Sequence, residues 1–244
     1  GGPLPVKGPG EDDAAVVTRA VRRLDRSYLA VQGPPGTGKT YVGGHVIAEL
    51  VADNWRIGVV AQSHAVVENL LRAAHRGSKT RPGVHPEAIG KKVRSDRHGH
   101  EPVPWQWLDK NADFTRFVER QRGGWVIGGT AWDFANPARF ADLSLDLLVI
   151  DEAGQFSLAN TLAVSWPARR LLLLGDPQQL PQVSQGVHPE PVDLSALEWL
   201  AEGHDTLPAD RGYFLEKTWR MHPELARQRL RAAGFAEGVV GVAG

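Results

Sequence analysis

The stretch Tyr28-Leu-Ala-Val-Gln-Gly-Pro-Pro-Gly-Thr-Gly-Lys-Thr40 runs from a short apolar segment through a Gly/Pro-rich loop into a helical pattern. Its last eight residues fit the spacing G-x-x-x-x-G-K-[ST] in the context that this spacing requires, after a strand and before a helix. Glycines in such a loop allow backbone N–H groups to face phosphate oxygens, which a helix N-terminus also attracts. The loop therefore predicts a nucleoside-triphosphate site formed by Gly33, Pro34, Pro35, Gly36, Thr37, Gly38, Lys39 and Thr40.

Charged and hydroxyl side chains at this site predict phosphate and metal chemistry. The Lys39 amine would reach the β and γ phosphates, and the Thr40 hydroxyl would ligate Mg²⁺. Asp151 and Glu152 follow the apolar run Leu147-Leu-Val-Ile150, so both leave the carboxyl end of a predicted strand. The first carboxylate suits the magnesium shell and the second suits polarising the attacking water, although an acidic pair here can also simply cap the next helix.

Strand and helix patterns alternate around the loop. Apolar runs predict strands at 28–32, 56–61, 125–128, 147–150 and 171–174, and helical spacing predicts helices at 14–24, 39–52, 64–76 and 156–165. This alternation is typical of an α/β fold with a doubly wound parallel sheet, in which ligands bind at the carboxyl ends of the strands. Gly175-Asp-Pro-Gln-Gln-Leu-Pro181 also follows a strand, and its amides could sense a γ phosphate, although alone it is an ordinary Pro-rich turn.

A charged insert at 72–124 interrupts the alternation. Residues 72–101 carry eight Lys and Arg against three Asp and Glu, and Trp105, Trp107, Phe114 and Phe117 follow. A basic loop with aromatics could follow a phosphate backbone and stack on bases. Alternatively, the loop is solvated and the aromatics form the core of a small helical hairpin. The sequence favours nucleic acid for the basic residues and a core for the aromatics.

Composition limits the chemistry further. The 244 residues are 42% hydrophobic and 23% charged with a mean hydropathy of -0.28, a formal net charge of +0 and no cysteine. The lack of cysteine excludes disulfides, thiolate catalysis and cysteine-ligated metals. No apolar run approaches the roughly 20 residues that span a bilayer, and no signal pattern is seen, so a cytoplasmic location is expected. The only methionine is Met221, and a fragment of a larger protein is therefore expected.

Four motifs occur in a specific order: GPPGTGKT at 33–40, DEAGQ at 151–155, GDPQQLP at 175–181 and WRMHP at 219–223. This set resembles the helicases of superfamily 1B, which include the nonsense-mediated-decay and Okazaki-fragment helicases. The sequence around the first two motifs further resembles that of bacterial proteins in which such a helicase is fused to a RecB-like nuclease. The resemblance covers about 14–225 and implies an ATPase domain of the P-loop NTPase class with a RecA-like sheet.

The resemblance also implies roles for residues near the nucleotide. Gln179 would contact the γ phosphate, and Trp219 would stack on the base. Arg220 would offer positive charge to the phosphates from the start of a second RecA-like domain. Glu152, Gln179 and Arg220 are thus the expected catalytic residues, with ATP and Mg²⁺ as cofactors. Residues 12–19 lack the glutamine that reads the base in the family, so selectivity for ATP is not predicted.

Two further segments match regions that grip single-stranded nucleic acid in this family. Ser63 and His64 lie in the first, Ala61-Gln-Ser-His64, and Thr130 ends the second, Gly128-Gly-Thr130. Ser63 could instead be a helix N-cap, and both roles can coexist. His64 stands where the family usually has asparagine. Single-stranded DNA or RNA is therefore the expected partner, with a fused or associated nuclease domain as a further possibility.

These observations predict a linker at 1–13, a RecA-like ATPase domain at 14–190 and, at 191–244, a linker with the truncated start of a second RecA-like domain. The expected function is a helicase or translocase motor that couples Mg-ATP hydrolysis to movement on single strands. With the second domain incomplete, we expect slow hydrolysis and no unwinding by this chain alone, because one domain has nothing to step against. The alternative is a regulatory module that binds nucleotide or nucleic acid without hydrolysis.

Overall fold

The computed structural model describes residues 3–77, 82–93, 102–140, 144–179 and 191–216. Within these ranges, eight strands form one sheet in which every pairing is parallel. The strands are β1 (Tyr28–Gln32), β2 (Arg56–Val60), β3 (Ile89–Lys92), β4 (Gln106–Leu108), β5 (Trp125–Gly129), β6 (Leu147–Asp151), β7 (Leu171–Gly175) and β8 (Gly212–Phe214). Their order across the sheet is β4-β3-β5-β2-β6-β7-β1-β8.

Helices connect the strands and cover both faces of the sheet. They are α1 (Asp13–Arg23), α2 (Lys39–Ala52), α3 (His64–Arg76), α4 (Asn111–Arg120), α5 (Ala131–Phe134), α6 (Pro137–Phe140), α7 (Leu158–Ser165) and α8 (Ala196–Ala201). A 3₁₀ turn, Pro86–Ala88, leads into β3. In the part of the chain that the structure describes, no helix has the length and apolarity needed to cross a membrane.

Two hydrophobic clusters lie on opposite faces of the sheet. The first contains residues of α1, α2 and α3, and the second contains residues of α4, α5, α7 and α8. Successive residues of a central strand alternate between them, as Val149 and Ile150 of β6 do, because side chains point to alternate faces along a strand. Both side chains are fully buried. The predicted doubly wound parallel α/β sheet is therefore confirmed.

The five strands predicted from apolar runs correspond to β1, β2, β5, β6 and β7. These strands are almost completely buried, since helices cover both of their faces, and they therefore contain few polar residues. The predicted helices also form, with bounds that differ by at most a few residues. The agreement follows from the central position of these strands, where burial dictates an apolar sequence.

The predicted charged insert contributes to the sheet itself. Within 72–124, β3 and β4 extend the sheet beyond β5, and α4 covers their apolar side. These two strands were not predicted from the sequence, because Ile89-Gly-Lys-Lys92 contains one large apolar residue and β4 has only three residues. Pairing of β3 with β5 and of β4 with β3 decides the strand conformation, and this is a tertiary effect.

The sheet also continues past residue 190, where the sequence analysis ended the first domain. β8 pairs with β1, with Ala30 aligned to Gly212, and forms the edge opposite β4. The Tyr213 hydroxyl donates a hydrogen bond to the Pro5 carbonyl at 2.7 Å, so part of the predicted N-terminal linker packs beside this edge. Of the segment 191–244, predicted as a linker with the truncated start of a second RecA-like domain, residues 217–244 lie outside the described residues, and the domain division stays a prediction.

Candidate functional site

The loop of residues 33–40 connects the carboxyl end of β1 to the N-terminus of α2. Gly36 and Gly38 have φ values of 88° and 91°, in the left-handed region that residues with a Cβ atom rarely adopt. Thr37, which is buried, donates hydrogen bonds from its backbone N–H (3.3 Å) and from its hydroxyl (2.8 Å) to the Pro34 carbonyl. These contacts fold the loop tightly over the start of the 14-residue helix α2.

Lys39 is the first residue of α2, and its amine lies back over the loop. Its Nζ donates hydrogen bonds to the carbonyl oxygens of Gly33 at 2.5 Å and Pro34 at 3.0 Å. Burial lowers the pKa of the Lys39 amine, and the nearby carboxylates of Asp176, Asp151 and Glu152 partly oppose this effect. The predicted phosphate-binding amine thus lies in a partly buried site that is lined by carboxylates.

Asp151 and Glu152 leave the carboxyl end of β6, as predicted. Asp151 is buried, and burial raises the pKa of its carboxyl to about 6, with repulsion from Glu152 adding to the rise. The Glu152 backbone N–H donates to Asp151 Oδ1 at 2.9 Å, and this hydrogen bond partly opposes the rise in the Asp151 pKa. Burial also raises the pKa of Glu152, whose φ of 57° is unusual for a residue other than glycine. A strained backbone of this kind is common at active sites, where the surrounding structure enforces it.

The segment after β7 packs directly against the acidic segment after β6. Asp176 is buried, and its carboxylate accepts a hydrogen bond from the Gln178 backbone N–H at 3.1 Å. A Cβ atom on Gly154 would lie 2.0 Å from the Asp176 carbonyl oxygen, so only glycine fits there. The backbone N–H of Ala153 donates to the Leu174 carbonyl at 2.8 Å. The glycine of DEAGQ therefore serves the close approach of two loops.

Two hydrogen bonds among three glutamines connect these loops to the segment after β2. The Gln155 side-chain amide N–H donates to Gln179 Oε1 at 3.3 Å, and the Gln62 side-chain amide N–H donates to the backbone carbonyl of Gln155 at 3.1 Å. Gln179 is the residue predicted to contact the γ phosphate, and Gln62 precedes Ser63, which was predicted to contact nucleic acid. These hydrogen bonds therefore connect the candidate γ-phosphate contact to the segment of the candidate nucleic-acid residues.

The order of strands explains why the nucleotide-site residues converge. β6, β7 and β1 are neighbours in the sheet, so the acidic pair, Asp176 and the phosphate loop emerge side by side at one edge. The donor groups fit Mg²⁺ and a triphosphate, since Mg²⁺ takes oxygen ligands and commonly uses one or two side chains together with phosphates. Asp151 and Thr40 supply such oxygens, and a cation favours the charged form of the buried Asp151 carboxyl.

Ser63 lies at the carboxyl end of β2 and is the N-cap of α3. Its side-chain oxygen accepts a hydrogen bond from the Val66 backbone N–H at 3.3 Å. A hydroxyl that accepts one hydrogen bond can still donate its own proton. Ser63 is exposed, and the cap role and the predicted contact with nucleic acid are therefore compatible in this geometry.

Thr130 has a different environment from the one that a phosphate contact needs. Its backbone N–H and its hydroxyl both donate to Asp133 Oδ2, at 2.8 and 2.9 Å. Asp133 is buried and forms an ion pair with Arg139. A phosphate oxygen only accepts hydrogen bonds, so Thr130 would have to release Asp133 before it could donate to one.

Four basic residues of the segment 72–101 are described; three of them contact other groups of the protein, and Arg76 is exposed. Lys91 is fully buried, with Nζ 2.7 Å from His64 Nδ1. Lys92 donates to the Asp109 carbonyl at 2.7 Å and pairs with the Asp109 carboxylate at 3.2 Å. The Arg72 guanidinium lies 4.9 Å from the centre of the Trp105 ring. Lys79, Arg81, Arg94 and Arg97 lie outside the described residues.

The insert aromatics belong to the core rather than to a base-stacking surface. Trp105, Phe114 and Phe117 are at most 5% exposed, and Trp107 contacts Trp105 edge to face at 5.6 Å. Phe114 and Phe117 pack in the cluster that also contains residues of α5, α7 and α8. The interpretation of these residues as a core is thus correct, but the core is that of the whole domain and not of a separate hairpin.

Residues 11–192 match the family model of the AAA domain, which covers most of the chain and all three nucleotide-site segments described above. The chain belongs to the AAA domain family. Membership in this family implies dependence on a nucleotide, in agreement with the geometry of the phosphate loop and the acidic pair.

Two curated proteins are similar to this AAA domain over most of its length. One is the DNA replication ATP-dependent helicase/nuclease DNA2 of Gallus gallus, 26% identical over 174 residues that cover 70% of this chain and 17% of the relative. The other is the regulator of nonsense transcripts 1 homolog of Drosophila melanogaster, 27% identical over 231 residues that cover 84% of this chain and 19% of the relative. The predicted resemblance to superfamily 1 helicases is confirmed.

The AAA domain spans less than a fifth of the length of either relative. Among solved structures, it is similar to a nuclease-deletion mutant of the Type ISP restriction-modification enzyme LlaGI in complex with a DNA substrate mimic. The TM-score is 0.51 at 14% identity, and the match covers 94% of this chain and 21% of that one. At this identity the likeness concerns the fold alone.

An exposed aromatic that was not predicted from the sequence lies near the candidate nucleic-acid residues. Trp132, in α5, is 88% exposed and lies two residues after Thr130, at the carboxyl end of β5. Since β5 and β2 are neighbours in the sheet, this indole emerges on the same edge as Ser63 and His64. Its position directly after the Gly-Gly-Thr segment was the available signal. The predicted residues Trp219 and Arg220 lie outside the described residues.

Proposed function

We propose that this AAA domain is the ATP-hydrolysing motor domain of a helicase that moves along single-stranded DNA or RNA. The observation that carries the proposal is the arrangement of one sheet edge. Nucleotide-site groups follow β6, β7 and β1, candidate nucleic-acid groups follow β2 and β5, and the Gln62-Gln155-Gln179 chain joins the two sets. A motor needs such a connection, because its affinity for the strand must change with the state of the nucleotide.

Mg-ATP binds, in this proposal, with its phosphates in the loop of residues 33–40. Lys39 exchanges its contacts with the Gly33 and Pro34 carbonyls for contacts with the β and γ phosphates. Asp151 and the Thr40 hydroxyl hold Mg²⁺, which supplies positive charge that stabilises the charge developing on the phosphates. The charged amine and the metal also compensate the three carboxylates that line the site.

Glu152 is the residue that orients and deprotonates the attacking water. Its pKa is raised by burial, which brings it closer to neutral pH and improves a carboxylate as a general base. The amide oxygen of Gln179 accepts from Gln155, and its N–H groups are the donors that would contact γ-phosphate oxygens in this proposal. Loss of that phosphate after hydrolysis would then change the contacts of Gln155 and, through the backbone carbonyl of Gln155, those of Gln62.

The strand binds, in this proposal, across the carboxyl ends of β2 and β5. Ser63 and His64 contact the phosphate backbone, and the exposed Trp132 ring stacks on a base. Base stacking accepts any base, so little sequence preference is expected. Contacts to phosphates make the expected binding strongly dependent on salt. Trp219 as a platform for the ATP base, Arg220 as a catalytic cation and an adjoining nuclease domain belong to the same proposal, supported by the motifs and by the helicase/nuclease name of the DNA2 relative.

The test combines two binding titrations with a phosphate-release assay on the chain. Fluorescent Mg-ATP and labelled single strands of DNA and RNA are titrated separately, and the strand titration is repeated with a non-hydrolysable ATP analogue. We expect both ligands to bind and the analogue to change strand affinity, with Lys39→Ala abolishing that change. Binding of both ligands without any influence of one on the other and without phosphate release would favour the regulatory module, and absence of nucleotide binding would reject the motor function.

A further inference from the structure

Lys91 is a fully buried lysine at the third position of the short strand β3. A buried ammonium group is costly unless hydrogen-bond acceptors surround it. Its Nζ donates to the Lys92 carbonyl at 2.8 Å and lies 2.7 Å from His64 Nδ1. His64 is the first residue of α3 and follows Ser63, so a side chain from the predicted insert reaches the candidate nucleic-acid edge from inside the protein.

Gly128 explains how the lysine reaches that far. β5 lies between β3 and β2 in the sheet, and Gly128 of β5 is the residue aligned with Lys91. A Cβ atom on Gly128 would lie 3.3 Å from Lys91 Cδ and 2.6 Å from Val67 Cγ1. The missing side chain therefore leaves the space through which the lysine stem passes over β5 towards α3. This assigns Gly128 a packing role within the Gly-Gly-Thr segment.

The donor and acceptor roles in the contact between Lys91 Nζ and His64 Nδ1 depend on the tautomer of the histidine. An ammonium group has donors and no acceptor, so His64 Nδ1 must accept, and the hydrogen of the neutral ring must be on Nε2. We propose that Lys91 is a positioning residue that fixes His64 in the Nε2–H tautomer, as a hydrogen-bond donor to the phosphate backbone of a single strand. The part of the inference that concerns the strand rests on the function proposed above.

The tautomer itself is tested without any ligand. Nitrogen-15 NMR of the histidine rings distinguishes a protonated nitrogen from an unprotonated one, and the signals of His64 among the nine histidines are assigned by their loss in His64→Ala. We expect Nδ1 unprotonated and Nε2 protonated near pH 7.5. A ring with its hydrogen on Nδ1, or a mixture of tautomers, overturns the proposal. The measurement is made on the unmodified chain, so it does not depend on whether a Lys91 variant folds.

Lys91→Met then tests the positioning role, because methionine fills similar space but cannot donate. We expect His64 to become a mixture of tautomers and the affinity for a labelled single strand to fall about fivefold to tenfold, the scale of one hydrogen bond to a charged group. In a His64→Ala background the same change should have almost no further effect. Equal effects of Lys91→Met in both backgrounds would show that the lysine acts independently of His64 and would overturn the proposal.

Lys92→Met is the matched control, since it removes the same charge from the neighbouring residue, which pairs with Asp109 instead. We expect unchanged His64 ring signals and the same effect on affinity with or without His64. Thermal denaturation of each variant reports on folding. If the unmodified chain binds no strand while the ring is in the Nε2–H form, the proposed function fails and the tautomer assignment stands. If the strand binds and the effects of Lys91→Met and His64→Ala on affinity are additive, the positioning role is rejected and the proposed function is not.

Discussion

The nucleotide half of the sheet edge, after β6, β7 and β1, and its proposed nucleic-acid half, after β2 and β5, are built by different means. In the nucleotide half, each contributing segment is a short run of consecutive residues, as in the loop that Gly36 and Gly38 shape and that Lys39 and Thr40 follow directly on α2. In the nucleic-acid half, partners that are distant in sequence set the properties of each group, as Lys91 does for His64 across 27 positions. A site made of local backbone is readable from a motif, whereas a site made of paired side chains depends on the whole fold.

The largest expected effect lies in the nucleotide half. Glu152→Gln should leave Mg-ATP affinity nearly intact and slow hydrolysis by about 10²-fold to 10⁴-fold, because the amide cannot act as a base. Lys39→Ala should weaken Mg-ATP binding about tenfold to a hundredfold, since a charged hydrogen-bond donor is lost among three carboxylates. Fluorescent-nucleotide titration and phosphate release measure the two effects. An equal affinity loss in both variants would contradict the assigned roles.

The buried carboxyl of Asp151 predicts a dependence of stability on pH. Its pKa is raised from 3.8 to about 6 in the folded protein, so the folded state holds this proton more tightly than the unfolded state. The resulting stabilisation is fully present below about pH 4 and is lost as the pH rises through about 6, on the order of 2–3 kcal/mol. Urea denaturation of the nucleotide-free chain from pH 4 to 8 measures it as a difference from Asp151→Asn. A difference that does not vary with pH would refute the prediction.

The close approach of two loops at Gly154 is a test of backbone packing in the same half. In Gly154→Ala the new Cβ atom would overlap the Asp176 carbonyl, and we expect a loss of about 1–3 kcal/mol in the free energy of unfolding. Gly8→Ala is the control, because its nearest neighbour would be a Glu11 side-chain oxygen at 3.5 Å. Thermal denaturation compares the two. Equal midpoints would mean that the loops can separate at little cost.

Trp132 tests the nucleic-acid half. Trp132→Ala should weaken binding of a single strand by about 1–3 kcal/mol, the usual contribution of one stacked base, without a loss of stability, because the side chain is 88% exposed. Trp199→Ala removes another exposed indole, 48% accessible on α8, and should leave strand affinity unchanged. Fluorescence anisotropy with labelled oligonucleotides measures both. Equal losses would indicate an effect of surface indoles in general.

The smallest effects should separate Ser63 from Thr130. Ser63→Ala and Thr130→Val each remove a hydrogen bond near the start of a helix and should cost about 1 kcal/mol of stability. Only Ser63→Ala should also weaken strand binding, about fivefold, since the Thr130 donors are already bound to Asp133. If Thr130→Val weakens binding as much, Thr130 must release Asp133 when the strand binds.

The sequence determined the nucleotide half and the central sheet. The phosphate loop, the acidic pair and Gln179 could be placed because each follows an apolar run, and the carboxyl ends of buried parallel strands meet at one edge. Such strands must be apolar on both faces, and this makes them visible in the sequence. Glycines at φ values near 90° are equally easy to recognise in the sequence, because residues with a Cβ atom rarely adopt that conformation.

Only the tertiary structure decided the rest. Whether a lysine is a surface charge or a buried donor depends on the strand beside it, and Lys91 is buried because Gly128 leaves space on β5. Whether Thr130 can donate to a phosphate depends on Asp133, and Trp132 is exposed while Phe114 and Phe117 are in the core. Hydrogen-bond capacity and exposure are properties of neighbours in space, which pairing across the sheet brings together from distant parts of the sequence.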